Sequence, residues 1–206
     1  TAAATYMHRN TIAAKLTKGI LKHLADPGMG KTSFEIAVEP EKITATGGDR
    51  VEMRISPNPG EPLKPLNAIA SGGEISRVML ALKAVSADEY GVGAMVFDEI
   101  DTGVSGRMAQ AVGEKMAMIA GKRQVLCVTH LPQIAAMADR HFVVEKTQVG
   151  ERTGTTVRAL DEAGRAQEIA RLIGGAEDSP SALEHAENML SAARHRREEL
   201  RERKEA

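Results

Sequence analysis

The sequence predicts an α/β protein with a mostly parallel sheet core and flanking helices. Two apolar runs, Ala94-Met95-Val96-Phe97 and Val125-Leu126-Cys127-Val128, are too short for helices, and the stretch between them, about Ser105 to Ala120, has helical character. Strand, helix and strand in that order make a right-handed crossover, which lays the two strands parallel. Neither run alternates with polar residues, so both read as strands covered on both faces. Each ends in residues able to do chemistry, Asp98-Glu99 after the first and Thr129-His130 after the second. The carboxyl edge of such a sheet is where open α/β folds bind ligands.

The first element is a helix from about Ala2 to Ala25, in which Ile12, Leu16, Ile20 and Leu24 recur at four-residue steps with Lys15, Lys18 and Lys22 between them. So narrow a stripe suits either the last turns of a coiled-coil arm or a helix packed on its own domain. Pro27-Gly28-Met29-Gly30-Lys31-Thr32 then stops it. Gly30-Lys31-Thr32 imitates the tail of a phosphate-binding P-loop, but Ala25 stands where that motif needs its first glycine. A helix precedes the loop and the strand-like Phe34 to Val38 follows, the reverse of the P-loop order. We therefore read a helix stop and a turn.

Phe34 to Val38 and Val51 to Ser56 alternate apolar and polar residues, as half-exposed antiparallel neighbours do. Pro57, Pro59, Gly60, Pro62 and Pro65 make a stiff connector that delivers the chain to Ser71. A helix runs on from there through Val78-Met79-Leu80-Ala81-Leu82. After the second apolar strand, Gln133 to Ala138 is helical, and His141 to Lys146 and Thr155 to Leu160 read as strands around a turn at Gly150 to Gly154. A short helix, Glu168 to Ile173, stops at Gly174-Gly175. The last helix starts at Pro180 and becomes charge-dense from Arg194 to Glu205. Both signs are mixed there, which marks a solvated face, with a DNA-touching tail as the alternative.

The totals narrow the classes of function. With 206 residues and 42% hydrophobic content the chain can bury a core. Lys plus Arg number 27 against 28 Asp plus Glu, so a net charge of −1 leaves no global pull towards nucleic acid or anionic lipid. The single cysteine, Cys127, excludes a disulfide framework and a cysteine-cluster metal site, which fits a reducing compartment. No apolar run reaches membrane-spanning length, and Thr1 to Arg9 lacks the pattern of a signal peptide. The expectation is a cytoplasmic protein without a membrane partner. A start at Thr1, directly into helical pattern, suggests a fragment or a processed piece.

Two stretches carry the chemistry. In Ser71-Gly72-Gly73-Glu74, Ser71 is a good N-cap, Glu74 completes a capping box, and two glycines allow close approach. The free N–H groups and positive dipole end of such a helix start attract an anion. Taken alone, these residues are better explained by an ordinary capped helix, because Ser-x-x-Glu before an apolar run is common. In Asp98-Glu99-Ile100-Asp101-Thr102-Gly103, two carboxylates after an apolar strand form a Walker B pattern. Asp98 suits Mg²⁺, which takes one or two carboxylates plus phosphate oxygens. Glu99 suits a base for an attacking water, and His130 suits contact with a γ-phosphate or that water. Two acids at a turn, a turn-forming Asp101 and a histidine beside a helix start are each commonplace. Their order along one chain is not.

In that order, IASGGEISRVMLALK, VFDEIDTGVSG and VTHLPQIAAMAD resemble the motifs of ABC-type ATPase heads, in particular those of the SMC-like proteins. The resemblance covers nearly the whole chain and implies the C-terminal lobe of such a head. It makes residues 1–25 the returning end of a coiled-coil arm and 26–206 the lobe. It implies that Ser71, Gly72, Gly73 and Glu74 are the signature motif, Asp98 and Glu99 Walker B, Asp101 part of the D-loop and His130 the switch histidine. Ala70 before the serine and Glu74 in place of the commoner glutamine depart from the general ABC form, and a bacterial DNA-repair branch of the SMC-like proteins shares both. The implied cofactors are ATP and Mg²⁺. The implied partners are an N-terminal lobe bearing Walker A, a second copy bound through ATP sandwiched between heads, and DNA at double-strand breaks. The alternatives are the ATP-binding subunit of another ABC class, such as a transporter, or a non-enzymatic DNA-binding module in which the acids only serve turns.

Overall fold

The computed structural model describes residues 1–25, 31–69, 72–149, 152–174 and 179–205. They form two compact units, residues 1–104 with 123–128, and residues 105–122 with 129–206.

The first unit begins with α1 (Ala2–Leu24), followed by β1 (Ser33–Thr44) and β2 (Gly47–Ser56). The two strands pair antiparallel with Phe34 opposite Ile55 and Val38 opposite Val51, and β3 (Lys64–Pro65) adds on the far side of β2. β1 runs six residues beyond the expected Val38, because Glu39 to Thr44 has the hairpin to pair with. Arg54 helps hold the extension by reaching Glu39 at 2.6 Å and Glu52 at 2.7 Å. The buried Ser56 hydroxyl donates to the carbonyls of Asn58 and Glu61, which fixes the proline-rich connector. α2 (Gly72–Tyr90) packs Val78, Ala81 and Val85 onto Ile20 and Leu24 of α1 and onto Phe34 and Ile55 of the sheet. Each such large apolar side chain contributes about 1.5–3 kcal/mol when fully buried. Gly19 lets the helices close, since a Cβ there would meet Val85 at 3.2 Å.

Of the α1 stripe, Ile20 and Leu24 are fully buried while Ile12 is exposed. The second half of the helix thus packs on its own unit. Its first half is tied down by an ion pair, Arg9 to Asp49 at 2.7 Å, and Arg9 also donates to the Thr46 carbonyl. α1 ends at Leu24 and β1 begins at Ser33, with the stretch expected to form the helix stop and turn between them. Residues 26–30 lie outside the described residues, and Lys31 is exposed.

β4 (Ala94–Phe97) and β5 (Gln124–Cys127) pair in parallel, with Met95 opposite Val125 and Phe97 opposite Cys127. The α/β class and the parallel pair are as expected, but among the described strands the pairing is not mostly parallel, since β1–β2–β3 here and two strands of the second unit pair antiparallel. A second expectation fails. Met95 and Phe97 are buried, but Val96 is 58% exposed, Val128 is 64% exposed and Leu126 is exposed beside them. Among the described residues the pair therefore buries one face and leaves the other open.

The second unit contains α3 (Gly106–Ala120), α4 (Pro132–Ala136), β6 (Phe142–Val149), β7 (Arg152–Ala159), α5 (Glu162–Ile173) and α6 (Pro180–Glu205). β6 and β7 form an antiparallel ribbon with Val144 opposite Val157, and Phe142, Val144 and Val157 are exposed. Residues 150 and 151 of the expected turn lie outside the described residues. α5 starts six residues earlier than expected, because Asp161 caps it by accepting from the Gly164 N–H at 2.8 Å. It ends at Gly174, whose φ of 89° supplies the left-handed cap. The core joins Ala135 and Ala136 of α4, Ile169 of α5, and Ala186, Leu190 and Ala193 of α6. Three arginines of α6 are engaged within the unit: Arg196 pairs with Glu114, Arg194 with Glu162, and Arg201 with Asp139. Arg197 donates to the carbonyls of Ala136 and Ala138 at the end of α4. This charge-dense stretch is therefore a clamp as well as a solvated face.

Candidate functional site

In the first unit the chemistry lies at the start of α2 and in the turn after β4. Ser71 and its capping box fall outside the described residues. The helix is described from Gly72, with Glu74 as the acid in its first turn. Gly73 is buried against the turn: a Cβ built on it would lie 2.7 Å from the Gly103 carbonyl oxygen and 3.2 Å from an Arg77 guanidinium nitrogen. Reciprocally, a Cβ on Gly103 would lie 3.0 Å from the Gly73 nitrogen. A Cβ on Gly72 would be in ordinary contact with the Thr102 methyl, at 3.4 Å. The glycine at 73 is thus demanded by the neighbouring backbone, whatever ligand the helix start meets. Arg77, one turn on, is partly buried, and burial lowers its pKa against the attraction of Glu74.

β4 delivers Asp98 and Glu99 to solvent, and Glu99 is the one non-glycine residue with left-handed backbone among the described residues, at φ 54°. Such a conformation costs a side chain about 1–2 kcal/mol, and strain of this kind gathers at functional sites. Two hydrogen bonds hold the turn in place, Thr102 N–H to the Glu99 carbonyl and Val104 N–H to the Asp101 carbonyl. Neither Asp98 nor Glu99 has a hydrogen bond or ion pair through its side chain among the described residues. Asp101 differs, being only 4% exposed. Cys127, opposite Phe97, has its thiol pushed up to about 12, by burial first and then by the charges of Asp101 and Asp98. That thiol is no nucleophile.

His130 belongs to the second unit and is exposed. It sits just before α4, where Thr129 accepts from the Leu131 N–H at 3.1 Å and Pro132 opens the helix. The carboxylates suit Mg²⁺ held jointly with a phosphate. Among the described residues no three His, Cys, Asp or Glu could hold a metal by themselves, and Mg²⁺ takes its remaining ligands from phosphate and water.

The sequence reading missed Lys83. From mid-α2 its ammonium donates to the Val96 carbonyl at 2.7 Å and lies 4.9 Å from the centre of the Phe97 ring. A lysine amid Ala81, Leu82 and Ala84 was the one signal, and it has no distinguishing spacing. Gly103 was also missed as the partner that makes Gly73 necessary.

The fold is that of an SMC-type ATPase head. It overlays a chain solved in work on ATP-driven dimerisation and DNA-stimulated activation of SMC ATPases with a TM-score of 0.58 at 19% identity, covering 82% of this chain and 96% of that one. It overlays the Smc head domain with coiled coil and joint from Pyrococcus yayanosii with a TM-score of 0.62 at 20% identity, covering 81% and 30%. By sequence the chain is RecN-like: it is 49% identical over 190 residues to DNA repair protein RecN of Halalkalibacterium halodurans, covering 90% of this chain and 34% of the relative. It is 41% identical over 201 residues to DNA repair protein RecN of Bacillus subtilis, covering 90% and 35%. The chain thus spans about a third of the length of the curated relatives it matches. No protein-family model matches it.

Proposed function

We propose that this chain is the C-terminal lobe of the ATPase head of a RecN-like double-strand break repair protein. Residues 1–25 are then the returning end of a coiled-coil arm and 26–206 the lobe. The observation that carries the reading is the turn after β4, where two unpaired carboxylates leave a parallel strand with Glu99 in left-handed backbone. ATP with Mg²⁺ supplies the reactive γ-phosphate and the charge that neutralises it. Asp98 would hold the metal, and Glu99, exposed at the end of the strand, would serve as the base that takes a proton from water. His130 orients that water or contacts the γ-phosphate. Asp101 shapes the D-loop. Ser71, Gly72, Gly73 and Glu74 offer the N–H groups of the α2 start to the γ-phosphate of an ATP bound mainly by a second copy.

The lobe alone is then inactive, because Walker A lies in an N-terminal lobe. The bare apolar face of β4–β5 and the exposed apolar residues of the β6–β7 ribbon each call for such a cover. ATP joins two heads and hydrolysis parts them, with DNA held by the dimer, in the cytoplasm. The likeness to SMC ATPases, whose dimerisation is ATP-driven, supports this. The test is Glu99→Gln in the full-length protein: turnover falls at least ~100-fold while ATP-dependent dimers persist. Unchanged turnover refutes the assignment. Turnover by this chain alone that Lys31→Ala abolishes would restore the P-loop reading set aside above.

A further inference from the structure

Among the described residues β4 has one strand beside it. β5 donates to the Gly93 and Phe97 carbonyls, at Gln124 and Val128, so those carbonyls face inward across the pair. Successive residues of a strand alternate the side to which their backbone groups point, and the Val96 carbonyl therefore faces the outer edge. That carbonyl is the one the Lys83 ammonium takes, at 2.7 Å, with the Phe97 ring 4.9 Å below the charge. A lysine at a strand edge blocks pairing by placing a charge and a bulky stem where a new strand would lie. Val96 is exposed, so without the lysine this edge would present an apolar, hydrogen-bonding strand to any chain it met.

We propose that Lys83 is a displaceable guard of the outer edge of β4, which holds that edge closed until a strand from the rest of the same polypeptide takes its place. The occupant is argued from length: the chain spans about a third of the relatives it matches, so about two thirds of such a protein lies outside it. The proposal rests on the reading that this remainder completes the sheet. It does not depend on ATP hydrolysis.

Three measurements decide it. First, the chain carrying Lys83→Met self-associates, by light scattering, at about a tenth of the concentration that wild type tolerates. Lys83→Arg, and the exposed control Lys42→Met, stay monomeric like wild type. Second, the Lys83→Met chain joins the separately produced remainder at least five times faster than wild type. Third, the wild-type chain is free of any folding defect of a variant. In it the through-hydrogen-bond coupling from Lys83 Nζ to the Val96 carbonyl carbon is present, and it vanishes when the remainder is added. A Lys83→Met chain as monomeric as the controls, an unchanged rate of joining, or a coupling that survives assembly each overturns the guard. A remainder that joins neither wild type nor Lys83→Met defeats the completing-lobe reading and with it the proposed occupant, while ATP turnover reports separately on the active-site assignment.

Discussion

Two neighbouring glycines, Gly72 and Gly73, respond differently to the same added methyl group. In Gly73→Ala the new carbon would lie 2.7 Å from the Gly103 carbonyl oxygen, whereas ordinary contact begins near 3.4 Å, so helix start and turn must part by roughly 0.7 Å. The obstacle is backbone on both sides, held by the Thr102 and Val104 hydrogen bonds, and no flexible tip can yield. Overpacking of this kind costs about 1–3 kcal/mol, against a gain of up to about 1 kcal/mol from replacing glycine in a helix. Gly72→Ala meets only the Thr102 methyl at 3.4 Å and keeps the gain. Urea denaturation of the two variants should therefore place Gly73→Ala about 1–3 kcal/mol below Gly72→Ala. Variants equal within about 0.5 kcal/mol would refute the argument that the turn dictates Gly73. Because the displaced turn carries Glu99, Gly73→Ala in the full-length protein should also lower turnover.

Arg9→Ala strands Asp49, whose side chain is 0% exposed and whose Oδ1 already lacks a partner, so it should destabilise the chain by about 2–4 kcal/mol. Arg9→Ala combined with Asp49→Asn should recover part of that loss in thermal melts. His141 has its pKa lowered by burial and by Arg165, with Glu168 opposing, so the fold binds fewer protons there than the unfolded chain. Stability should fall as pH drops through about 6.5, and His141→Gln should flatten that part of the stability–pH curve. The Cys127 thiol, pushed up to about 12, should react with iodoacetamide at pH 8 at least ~100-fold more slowly in the folded chain than in urea.

The turn after β4, the centre of the candidate site, was legible because its residues stand in one short string. Apolar Ala94 to Phe97 followed by Asp98-Glu99 forced a strand that ends in carboxylates, and the structure places both in solvent. What escaped was what lies across from each string. A wholly apolar run says that both faces want cover, not that this chain covers them, and Val96, Leu126 and Val128 remain bare. Gly72-Gly73 looked like one permissive pair, yet only Gly73 meets backbone, at a residue thirty positions away. The left-handed turn at Glu99 has no local signature, since glutamate does not favour it. The extra length of β1 comes from its hairpin with β2, and the support Arg54 gives at Glu39 shows only once the two strands are paired.

α4 has five residues, too few to stand as a helix by itself. Its trailing carbonyl, Ala138, is held by Arg165 of α5 and by Arg197 of α6, the latter 59 residues further along. The segment that begins with His130 therefore gains its final anchorage only after the ribosome has delivered the last helix. Until then a nascent chain carries α4 without its anchor to α6, so the order of synthesis sets when this part of the second unit becomes firm.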